Sequence, residues 1–211
     1  MSSACIAIAL IVGVDVSGLR KLHDYGDLDD AGVVRAYEQM RTQRLGRLDL
    51  PSYLTTIERV ACVVDDGHDA RVHIADDTAG EPALFDQFCQ AVQCESGPPV
   101  VWHADELAPL RVRAALHRRV LPPVLAHDGP PANVLLLSEL MGARGYDDVV
   151  EAESEVTRLF ALDTLKGIPQ PEVVRAVNRY RLWLSVQYSR GRLAHREYDA
   201  RLHTIAEAVA A

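Results

Sequence analysis

The chain has 211 residues, 48% hydrophobic and 25% charged, enough to bury one sizeable core without disulfides or a structural metal. Its formal net charge of −8 argues against indiscriminate adhesion to nucleic acid or anionic membranes. No basic signal-peptide start and no membrane-length apolar run is present, and the four cysteines form no CxxC pair. The expectation is therefore free thiols, a reducing cytoplasmic setting and no membrane partner.

The first element is the run ACIAIALIVGVDV at 4–16, rich in Ile and Val and ending at Gly18, as a central strand buried on both faces should. Residues 29–44 follow as a helix with acids at its start and bases at its end, complementing the helix dipole. After a connector around Pro51, the spans 57–64 and 70–75 read as strands joined by Asp65-Asp66-Gly67-His68, a hairpin signal. Cys5 and Cys62 sit within apolar runs and read as small core residues.

The period then changes. Leu84, Phe85, Phe88, Ala91 and Val92 recur at helical spacing within 81–94, and Gly97-Pro98-Pro99 breaks that helix. A short buried strand at 99–103 leads into a helix at 106–120. Beyond a proline-dense loop, helices are expected at 132–142, about 147–160, 172–189 and about 193–209. A leading antiparallel hairpin followed by a β–α–β passage implies a mixed sheet flanked by helices. The expected organisation is one α/β domain over 1–190, with residues 191–211 packed on it as a C-terminal helix.

Charge is unevenly spread. Residues 166–203 hold eight basic side chains against three acids, from Lys166 and Arg175 to Arg201, so this stretch is +5 and the rest is −13. It reads either as a localised phosphate-facing surface or as a solvated arginine-rich helix face.

Four phrases together resemble a known family. They are LPSYLTTIERVACVV (50–64), VVWHADELAPLRVRAALHR (100–118), LLLSELMGARGYDDVVE (135–151) and RYRLWLSVQYSRGRL (179–193). In that order they resemble the 3′–5′ exonucleases related to the proofreading domain of bacterial DNA polymerase B, within the DnaQ-like, ribonuclease H-like superfamily. The resemblance spans nearly the whole chain. It implies a ribonuclease H-like mixed sheet and hydrolysis by two divalent ions, Mg²⁺ or Mn²⁺, held by clustered carboxylates.

Those carboxylates are depleted. The first motif reads Asp15-Val16-Ser17, with serine in place of the family's glutamate. Asp15 is a metal ligand or a strand-end acid capping the turn to Gly18. Asp105 or Glu106 would supply the middle carboxylate, or would serve as a helix N-terminal acid. The final helix has no acid between Val173 and Ser189, and Asn178, Arg179, Tyr180 or Arg181 stands where the family carries its aspartate. The candidate catalytic set is thus Asp15, Asp105 and Glu106, with Asp15 and Glu106 as metal ligands.

Histidines add little. His103 ends a strand, His117 and His127 lack spacing to a ligand cluster, and His195 and His203 stand eight apart. The acids Asp147, Asp148, Glu151, Glu153 and Glu155 have the charge to bind a cation, but they read first as a solvated helix face.

The resemblance and the depletion together imply a catalytically impaired exonuclease-like protein that binds single-stranded nucleic acid or a protein partner. Arg175, Arg179, Arg190 and Arg192 are its candidate phosphate contacts. The alternatives are an active exonuclease with a rearranged site, or an interaction module docking through the 193–209 helix.

Overall fold

The computed structural model describes residues 4–46, 50–93, 97–126, 134–142, 146–159 and 170–210. Its first strand, β1 (Cys5–Val14), alternates small and large side chains, and each set faces a different layer. Cys5, Ala7 and Ala9 are buried with Trp102, Tyr180 and Trp183 on one face of the sheet. Ile6 and Ile8 are buried with Phe85, Phe88, Leu107 and Leu110 on the other. Short side chains on the first face let helix α8 (Pro171–Ser189) lie close against the strand. Bulky ones on the second fill the space under α3 (Glu81–Val92) and α4 (Leu107–Leu116). The result is a layer of helices on each side of a sheet.

Among the described residues the sheet has five strands, in the order β3-β2-β1-β4-β5. β2 (Thr55–Asp65) runs antiparallel to β1, from Cys5 opposite Asp65 to Val14 opposite Thr55. The register shifts between Ile11 and Val12, leaving Glu58 as the extra residue of a bulge. β3 (Ala70–Asp76) completes the expected hairpin. β4 (Pro99–Val101) adds parallel to β1, and β5 (Leu135–Leu136) adds parallel to β4. Gly97 makes the β4 approach feasible, since a Cβ there would lie 2.5 Å from the Cys5 backbone nitrogen.

Three expectations change. A helix α1 (Val16–Leu22) follows β1 at once, and with α2 (Asp30–Leu45) it buries Leu19, Val33, Tyr37 and Leu54 in a third cluster. The span expected as one helix at 132–142 instead holds β5 and a single turn, α6 (Leu137–Leu140). An apolar run this short fits strand or helix equally, and the open side of β4 decides it. The helix expected to reach residue 120 ends at Leu116, where Arg118 takes a left-handed φ of 53°.

Between these lie a short helix α5 (Pro123–Ala126) and the longer α7 (Tyr146–Leu159). The last helix, α9 (His195–Ala210), buries Ile205 and is keyed to the sheet by Arg201. Arg201 donates to Asp65 at 2.8 Å and to the Gly67 carbonyl at 2.6 Å. Tyr180 donates to the same Asp65 carboxylate at 2.7 Å. Burial pushes the Cys62 thiol up to about 12 and lifts Cys5 well above its ordinary value, so both are inert core residues. No helix among the described residues is long and apolar enough to cross a membrane. Cys94, His127 and Lys166, and the side chains of Asp147, Asp148 and Glu151, lie outside the described residues.

Candidate functional site

The site lies where β1 runs on past the end of β4. In β1 the Ile6 N–H reaches the Pro98 carbonyl, so the even-numbered residues turn their backbone groups toward β4. β4 pairs only as far as Ala7, which leaves the later carbonyls on that edge without a strand partner among the described residues. Two arginines one turn apart on α8 take them: Arg179 donates to the Ile8 carbonyl at 2.6 Å and Arg175 to the Leu10 carbonyl at 2.7 Å. The chain leaves β1 toward β2 on one side and leaves β4 toward β5 on the other. The carboxyl ends of these two parallel strands therefore flank a crevice of the kind where α/β proteins bind ligands. An open cavity of about 320 Å³ lies there, lined by Leu10, Val12, His103, Glu106, Arg175 and Arg179 among others.

Glu106 reaches the crevice from the start of α4, where its Oε2 accepts the Trp102 N–H at 3.0 Å. Arg179 grips the same carboxylate with two donors, at 2.9 and 2.8 Å. It also grips Glu153 of α7 with two more, at 2.7 and 2.9 Å. With the Ile8 carbonyl, all five N–H donors of this guanidinium are engaged. Arg179 is 2% exposed. Burial opposes its charge, but Glu106 and Glu153 outweigh burial and hold its pKa above the ordinary value.

Asp15 belongs to a different cluster. Its Oδ1 accepts the Gly18 N–H at 2.8 Å and caps α1, and its Oδ2 accepts from Arg113 Nη1 at 2.5 Å. Arg113 also clamps Glu81 through Nε, at 2.9 and 3.0 Å, and through Nη2. Glu81 further accepts the Ile57 N–H at 2.7 Å and meets His117 Nε2 at 2.7 Å. Partial burial would raise the Asp15 carboxyl, but the Gly18 N–H and Arg113 outweigh it and hold it low. Glu81 is held low in the same way by Arg113, His117 and the Ile57 N–H, against its own burial.

The two carboxylates that the resemblance pairs as metal ligands are thus bound to two different guanidiniums. Arg113 stands seven residues beyond Glu106 on α4, about 10 Å along the helix axis. Asp15 is not among the crevice residues; β1 contributes Ile8, Leu10 and Val12 instead. Asp105 is exposed in the turn before α4, and Ser17 is exposed on α1. A hard divalent ion needs several anionic oxygens free to face it, and a guanidinium already fills that role for Glu106 and Glu153. The residues present do not fit Mg²⁺ or Mn²⁺, and no group of three potential ligands forms a metal-holding cluster among the described residues.

The arginines divide similarly. Arg179, expected as a phosphate contact, has no donor left for one, and Arg175 is half-buried with one donor on Leu10. Arg190 and Arg192 are exposed. His195 and His203 pair along α9 with Asp199 at 3.4 Å and Glu207 at 3.2 Å. Sequence reading missed Glu81, Arg113 and the role of His117, and its solvated helix face does not hold for Glu153, which the buried Arg179 draws inward as a counter-charge. The only local signal was Glu81-Pro82 at a helix start, where an acid and a proline are both favoured. No family model matches this chain, and neither the curated proteins nor the solved structures contain a match to it.

Proposed function

We propose that this protein is a ribonuclease H-like module, resembling the 3′–5′ exonucleases of the polymerase B type, that binds nucleic acid without cutting it. The order of the four resembling phrases and the mixed sheet with its leading antiparallel pair support the fold assignment. The observation that carries the non-catalytic reading is the pairing of Glu106 and Glu153 with the buried Arg179. A permanent +1 charge seated between these carboxylates opposes a divalent cation by direct repulsion. Hydrolysis by two metal ions would need the Glu106 oxygens that Arg179 occupies.

Incubation of the protein with a 3′-labelled single-stranded oligonucleotide in millimolar Mg²⁺ or Mn²⁺ tests this reading. The expected result is binding that persists in a chelator and no release of mononucleotides at high protein concentration. Divalent-dependent release that disappears in Asp15→Ala or Glu106→Gln would overturn it and establish an active exonuclease with a rearranged site.

A further inference from the structure

The corner where α8 meets α9 combines exposed cations with packed aromatic rings. Arg190, Arg192 and Arg196 are exposed, and none of their guanidiniums makes an ion pair among the described residues. Gly191, with φ of 65°, reverses the chain between the first two and brings the start of α9 back against the end of α8. Tyr188, 43% exposed, lies with its ring centroid 5.1 Å from Tyr198 and 5.8 Å from His195. Tyr198 is braced in turn by the Ser185 hydroxyl at 3.2 Å. The nearby acids are engaged, Glu197 by Arg201 and Asp199 by His195.

We propose that this corner is the binding surface for single-stranded nucleic acid, with the three arginines on phosphates and Tyr188 as a stacking platform for a base. The inference rests on the nucleic-acid reading given above and locates the strand away from the strand-end crevice. Rings already held against one another lose little freedom when a base stacks on them, and stacking tolerates any sequence. Arginine suits phosphate because its planar fork offers paired donors. Three exposed cations on the same turn of chain as an aromatic cluster complement a polyanion carrying flat bases better than they complement a polyglutamate-like acidic peptide, which has no rings to stack. The rest of the molecule is strongly acidic, so contact is confined to this corner and the footprint is short.

Fluorescence anisotropy with a labelled oligothymidylate and a labelled oligouridylate tests the assignment, using the full chain between about 50 and 200 mM salt. Three phosphate contacts predict a slope of log affinity against log salt of about −2, which falls by about 0.7 for each arginine removed. The combined variant R190E/R192E/R196E is expected to lose at least about tenfold in affinity. Tyr188→Ala is expected to lose about tenfold while Tyr188→Phe binds like the parent, because stacking needs the ring and not the hydroxyl. All four positions are exposed, and thermal unfolding of each variant verifies that it folds.

Binding by the parent that is unchanged in these variants but lost in Arg175→Ala would place the strand in the crevice and overturn the corner assignment alone. Equal affinity for polyglutamate, with equal losses in the same variants, would make the corner a protein-docking patch and overturn it as well. Failure of the parent itself to bind either oligonucleotide at the lowest salt would overturn both the corner and the nucleic-acid reading.

Discussion

Two arginines of one helix, Arg179 and Arg190, stand eleven residues apart on α8 and its cap and do opposite work. Arg179 is buried against the sheet with five donors spent on Glu106, Glu153 and the Ile8 carbonyl. Arg190 is exposed and unpaired among the described residues. Composition counts both as one basic segment. Only burial separates an arginine whose donors are all engaged inside the fold from one that faces solvent. A buried guanidinium must be compensated in full, whereas a surface one needs no partner but water.

The sharpest test of this contrast removes the buried charge. Arg179→Ala leaves two carboxylates and a strand-edge carbonyl facing one another with only the Trp102 N–H, on Glu106, still donating. The expected loss is about 3–5 kcal/mol of unfolding free energy, read from urea denaturation. Combining Arg179→Met with Glu106→Gln and Glu153→Gln removes all three charges and is expected to recover much of that loss. An Arg179→Ala variant as stable as the parent would show that the cluster is not compensated as described, and the comparison would fail at its strongest point.

The second arginine-centred cluster gives a smaller effect and a pH signature. Asp15→Ala removes the cap of α1 and one of the two carboxylates on Arg113, at an expected cost of about 1–2 kcal/mol. Asp15 and Glu81 both have carboxyls held below their ordinary values in the folded protein. In acid the unfolded chain therefore binds protons that the folded protein does not. The stability from these groups is complete above the ordinary carboxylate range near pH 4 and drains away as pH falls through the lowered values. Denaturation between about pH 3 and 7 is expected to show a shallower acid loss in Asp15→Asn than in the parent. An identical acid slope in the two proteins would remove Asp15 from the cluster's energetics.

The same contrast explains what could be read from the sequence. β1, the hairpin, α3 and α8 announce themselves because their apolar period is long and their boundaries carry Gly, Pro or acid. β5 does not, since two leucines carry no period and pair only because β4 leaves an edge open. The role of Asp15 was half legible: a cap on Gly18 was one of two readings, and it is the contact the structure contains. Its partner Arg113 lies 98 residues away, and nothing local in the sequence brings them together. Likewise Leu10 and Val12 line the crevice because β4 stops short, which no motif in β1 announces. Long-range charge pairing and the length of a neighbouring strand are properties of the assembled sheet. Motif spacing directs attention to the nearest acid, and here that is Asp15, just past the end of the strand.

The smallest expected effect is at the exposed arginine. Arg190→Ala removes a side chain that touches no charged partner among the described residues, so unfolding free energy is expected to change by less than about 0.5 kcal/mol. The same substitution is expected to reduce the salt slope of oligonucleotide binding by about 0.7, the share of one released counterion. Measured together, the two numbers separate the roles: a residue serving the fold moves stability, and a residue serving a phosphate moves only the slope. If Arg190→Ala instead costs as much stability as Asp15→Ala, the α8–α9 corner is a structural joint. The contrast between buried and exposed arginines on this helix would then no longer divide structure from recognition.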